Sequence, residues 1–168
     1  MARLLLVVAG FWLGMLAASW VMATVNFRTV DRVLGPGIRP EMAGRLAALP
    51  AEDRRIVLRH LASEINRTMF RAWALAELAL GALALGAAGR MPGAPRLWIG
   101  AALLLVVAQL AVLTPAIASV GRSIDFLPRP LPAGIGRRFG ALHAAYVGAD
   151  FAKAILVALA AWTVARRT

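Results

Sequence analysis

Long apolar runs alternate with short basic breaks along this chain, and their lengths predict helices that cross a membrane. Residues 4–25 carry no charged side chain. At 1.5 Å per residue they cover a hydrocarbon core of about 30 Å. The run reads as a first span and not as a secretory signal, because it exceeds the roughly 7–15 residues of a signal core and only Arg3 precedes it. Further runs predict spans over about 72–89, 97–120 and 139–165. The turn RMPGAPR between the second and third permits only an antiparallel return. The expected fold class is therefore all-α, an integral membrane up-and-down four-helix bundle forming one domain over 1–168, with an amphipathic helical loop over 26–71.

Polar positions inside this frame refine it. NFRTVDRVL extends the first helix by two turns, with Arg28 and Asp31 at i,i+3, before Gly35, Pro36 and Gly37 break it. Two amphipathic helices follow. The shorter is expected to bury Met42, Leu46 and Leu49; the longer opens after Pro50 with Glu52 and Asp53 in its first turn. In the longer one Val57, Leu61, Ile65 and Met69 recur every four residues, predicting a helix that lies along the headgroup boundary or packs under the bundle. Its other stripe, His60, Glu64, Arg67 and Arg71, reads as a solvated face. Gly10, Gly14 and Ala18 offer a small-residue face for close helix approach. Pro115 removes the hydrogen bond to Ala111 and predicts a kink in the third span. Trp98 and Trp162 are expected at one membrane interface, Trp20 and Trp73 nearer the other.

Composition sharpens the class. The 168 residues are 61% hydrophobic, well above the globular norm of about 45–50%. The net charge of +11 comes from arginines at the ends of the apolar runs and in the loops, which points to anionic lipid surfaces and not to nucleic acid. Most of them fall in the first and third loops, so the positive-inside rule places those loops in the cytoplasm. With Lys153 the single lysine, the arginine bias indicates a GC-rich bacterial source and hence the inner membrane. The expected partner is the lipid bilayer, with a homo-oligomer or membrane complex as the further assembly. The absence of cysteine excludes thiolate chemistry and cysteine-held metal clusters.

Candidate chemistry concentrates in FGALHAAYVGADFAK, where His143, Tyr146, Asp150 and Lys153 are spaced 3, 4 and 3 apart and share one helix face. Ionisable groups at such depth need partners or a task. Asp150 and Lys153 form the simplest pair, and Gln109 comes to the same depth as Asp150 from the third span. Glu77 and Thr114 fall near the level of His143 and Tyr146, with Ala144, Gly148 and Ala152 as the expected wall. The candidate intramembrane cluster is thus Glu77, Gln109, His143, Tyr146, Asp150 and Lys153. A second, interfacial cluster comprises Asn26, Arg28, Glu64, Arg67, Arg122 and Asp125. No catalytic triad, phosphate loop or paired-histidine metal motif is present, so no catalytic residue, metal ligand or cofactor is assigned.

TVNFRTVDRVL, TPAIASVGRSIDFLPR and FGALHAAYVGADFAK together resemble a family of small four-span membrane proteins whose animal relatives are associated with resistance to platinum drugs. The likeness rests on Asn26 to Arg28 and on the Leu142–His143 pair. It implies a non-enzymatic role in transport, stress tolerance or a membrane complex. A similar outline in proteins resembling anthrone oxygenases implies the alternative, a membrane-embedded oxidoreductase or oxygenase with a polar pocket around His143 and Asp150.

Overall fold

The computed structural model describes residues 1–35, 38–91, 93–127 and 130–168. Among them every regular element is helical: α1 (Ala2–Val33), α2 (Pro40–Leu46), α3 (Ala51–Ala88), α4 (Ala94–Ala108), a π-helical turn (Gln109–Leu113), α5 (Thr114–Ile124) and α6 (Ala133–Ala165). α1, α3, the continuous stretch Ala94–Ile124 and α6 are each long and apolar enough to cross a membrane. The chain is a multi-pass membrane protein built as a four-helix bundle. Pro36 and Gly37, from the expected break after the first helix, and Pro92, Pro128 and Arg129 lie outside the described residues.

α1 packs against α3 and α6, and the third span packs against the same two helices. The connections after α1 and α5 meet at one end of the bundle, the loop end. The turn at Gly93 and both termini of the chain lie at the other. Gly93 has φ +88°, a conformation that side chains with a Cβ resist, so glycine is required at this reversal.

Toward the turn end the bundle is dry. Leu5, Val8, Ala9 and Trp12 of α1 meet Ala84 and Ala88 of α3, Ile99 and Ala102 of α4, and Val157 and Ala160 of α6. In lipid no hydrophobic effect drives helix against helix, so small residues that permit close backbone approach carry the packing. Gly81 is the sharpest case: a Cβ there would sit 2.6 Å from Leu103 Cδ1 and 3.0 Å from the Trp12 ring. Gly10 and Gly14, the expected contact face, have open space around them instead, and Ala18 is exposed.

The segment between the first two spans departs most from expectation. α3 is one unbroken helix from Ala51, because no glycine or proline interrupts it before Gly81. The amphipathic segment is therefore continuous with the helix of the second apolar run and not a separate element. α2 buries nothing, and Met42 and Leu49 are exposed. On α3, Val57, Leu61 and Ile65 face outward. Of the stripe His60, Glu64, Arg67 and Arg71, Glu64 and Arg67 form an i,i+3 pair; His60 and Glu64 keep more than a third of their side chains exposed, Arg71 is exposed, and Arg67 turns toward Asp125 at the end of α5.

Pro115 does not simply kink its helix. The preceding five residues widen into a π-turn, and Thr114 and Pro115 begin the next α-helical stretch, where a missing N–H costs little.

Candidate functional site

Two ionic layers and the cavity between them make up the site. The deeper layer draws on all four spans. Lys153 on α6 donates to Glu77 of α3 and lies 2.9 Å from Asp150 Oδ1, one turn back on its own helix. Gln109, turned inward at the start of the π-turn, donates Nε2 to Asp150 Oδ1 at 2.9 Å and to the Tyr146 carbonyl at 3.0 Å. Two indoles of α1 close the set: Trp12 Nε1 donates to Glu77 Oε2 at 3.3 Å, and Trp20 Nε1 points at Asp150 Oδ2 at 3.4 Å. Glu77 and Asp150 are each 4% exposed, Gln109 and Lys153 1%. Removed from water to this degree, the charges persist only because each finds a counter-charge and further donors.

The outer layer sits at the loop end. Arg67 donates to Glu64 on its own helix, and its Nη2 lies 2.8 Å from the Asp125 carboxylate. His60 Nδ1 is 3.0 Å from the same carboxylate, and Arg122 approaches Glu64 at 3.7 Å. Asn26 of α1 donates to the buried Asn66 of α3. The side chains of His60, Glu64 and Asp125 place ligand atoms within 4.8 Å of one another. Arg67 already supplies the positive charge that both carboxylates face, so the arrangement is complete as an ion-pair network.

Between the layers lies a cavity of about 350 Å³. Its walls come from Trp20 and Thr24 of α1, Arg67 and Phe70 of α3, Thr114 and Ala118 of α5, and His143, Tyr146, Asp150 and Phe151 of α6. Asp150 forms its floor and Arg67 its ceiling. Aromatic rings line it: Trp20 and Phe151 lie 4.7 Å apart, and Phe70 meets Tyr146 edge-on at 5.6 Å.

Several sequence expectations change here. Gln109, Asp150 and Lys153 do meet, and Glu77 joins them by pairing with Lys153. His143 is exposed at the cavity rim and stacks on Phe139. Ala144 and Gly148, the expected wall, face outward. In the outer cluster Arg28 is exposed and Asp31 pairs with Arg59 across α1 and α3 at 3.4 Å, instead of with Arg28. Trp20 and Trp73 use their indole N–H groups inside the bundle, Trp73 toward the Met15 carbonyl at 3.0 Å.

Trp12, Asn66 and His60 were missing from the expected clusters. For Trp12 a signal existed: an indole deep in an apolar span needs an acceptor, and buried carboxylates are the available ones. Comparison of the chain with known protein families, curated proteins and solved structures found no match.

Proposed function

We propose that this chain is a non-enzymatic multi-pass protein of a bacterial inner membrane that holds a lipophilic solute between its two ionic layers, in the service of transport or stress tolerance. The carrying observation is the cavity of about 350 Å³ whose charged wall groups are already partnered. That volume lies at the lower end of small-molecule sites, which run from about 300 to 1,000 Å³. A catalytic acid, base or nucleophile needs a free valence directed at its substrate, whereas Asp150 spends its oxygens on Lys153, Gln109 and Trp20. The resemblance to four-span proteins associated with platinum-drug resistance supports stress tolerance, and the arginine distribution supports cytoplasmic large loops.

Purification from native membranes, solvent extraction and mass spectrometry test this reading. A stoichiometric lipophile is expected with the wild type and is lost in Ala118→Trp, which fills the cavity. Equal recovery from both proteins, or none from either, overturns it.

The oxidoreductase or oxygenase reading has one observation in its favour: His143, Tyr146 and Asp150 border the same cavity. A flavin, haem or metal chromophore in the purified protein would move the conclusion there.

A further inference from the structure

Of the residues lining the cavity, Thr24, His143 and Phe151 are exposed, and all three belong to α1 or α6. The mouth therefore opens sideways between these two helices. They close against each other toward the turn end, where Leu5, Val8 and Trp12 share a core with Val157 and Ala160. The opening spans the depth from His143 to Phe151, within the apolar length of α6, so what enters comes from the bilayer.

The chemistry of the walls narrows the solute. Asp150 is committed to Lys153 and Gln109, and Arg67 to Glu64 and Asp125. Both Asp150 oxygens already accept hydrogen bonds and Arg67 already donates to two carboxylates, so an ammonium or carboxylate ligand would have to displace an existing partner. Thr114 Oγ1, by contrast, is buried without a hydrogen bond of good geometry, and the Tyr146 hydroxyl lies beside it. Hydroxyl donors on one wall and the rings of Trp20, Phe70 and Phe151 on the others suit a flat ring that carries hydrogen-bond acceptors.

We propose that the cavity binds a neutral, planar, carbonyl-bearing lipophile of the isoprenoid-quinone class, admitted from the bilayer between α1 and α6 and held at its carbonyl by Thr114 and Tyr146. The proposal rests on the lipophile-holding reading above and concerns binding alone, with no electron transfer.

The full chain in phospholipid nanodiscs is titrated with a short-tailed benzoquinone, a dimethoxybenzene of the same tail, an alkylamine and a fatty acid. Binding is read by tryptophan fluorescence for the quinone and by equilibrium dialysis for all four. The quinone is expected to quench saturably, with most of the saturable signal lost in Trp20→Phe. Binding weakens about five- to tenfold in Thr114→Val and Tyr146→Phe, and disappears in Ala118→Trp. The near-isosteric Thr114→Val keeps the test valid if the bulky variant misfolds. Saturable, Ala118→Trp-sensitive binding of the amine, the fatty acid or the dimethoxybenzene in preference to the quinone overturns the assigned class and leaves the solute-holding cavity standing. If none of the four probes binds saturably, the quinone assignment falls, and the extraction experiment above decides the lipophile-holding reading separately.

Discussion

Lys153 carries the largest share of the buried electrostatics, since it is the single cation among Glu77 and Asp150 in a layer closed to water. Removing it leaves two carboxylates facing each other without compensation. Lys153→Met is expected to destabilise the detergent-solubilised protein by about 3–5 kcal/mol, read as a lowered thermal midpoint. Adding Glu77→Gln and Asp150→Asn removes the stranded charges, and the triple variant should recover most of the loss. A triple variant no more stable than Lys153→Met would show that shape, not charge pairing, sets the cost. The spacing of Asp150 and Lys153 made their contact legible in the sequence, because i,i+3 neighbours on a helix must meet. The reach of Lys153 to Glu77, 76 positions away, was not legible. The polar stripe of α6 marks its inward face, but which side chain of another helix comes opposite it depends on how the helices rotate and slide against each other, and no local pattern encodes that.

For the elements, two irregular positions carry the consequences. Gly81 lets α3 approach Leu103 and Trp12, so Gly81→Ala should cost about 1–3 kcal/mol through overpacking and Leu103→Ala in the same chain should relieve part of it. Unchanged thermal stability in Gly81→Ala would mean that the contact is looser than the geometry indicates. The π-turn before Thr114 holds an extra residue per turn, which sets Gln109 toward Asp150 and Thr114 toward the cavity at once. Deleting Ala111 restores α-helical register and rotates one of these residues away. The deletion is expected to lower thermal stability well beyond the effect of Ala111→Val, and equal effects would remove the π-turn from the argument. Pro115 announced an irregularity in the sequence, yet its form depended on the buried acceptor that Gln109 finds. The pairing of the α3 stripe with another span has a similar origin. Its arginines and acids look like a solvated face until Asp125, from another span, is placed opposite them.

The whole molecule has a loop end with a charged layer and a turn end with a dry core, and its orientation is open to a direct test because the chain contains no cysteine. Cysteine placed at Arg90 should react with a membrane-impermeant maleimide on intact bacterial cells, and at Glu52 only after permeabilisation. The opposite pattern would put the large loops outside and reverse the positive-inside reading.

The four apolar runs by themselves determined the spans, their alternating direction and the all-helical class. A hydrocarbon core of fixed thickness and the requirement to satisfy every backbone group leave a long apolar chain no other form. Only the tertiary structure decided which faces of the four helices come opposite one another. That choice makes Trp12 and Trp20 donors to buried carboxylates, pairs Glu77 with Lys153 and leaves His143 at the rim of the cavity. The physical reason is that lipid and protein interior are almost equally apolar. Hydrophobicity alone cannot orient such helices, and the pairing of a few buried polar groups does so instead.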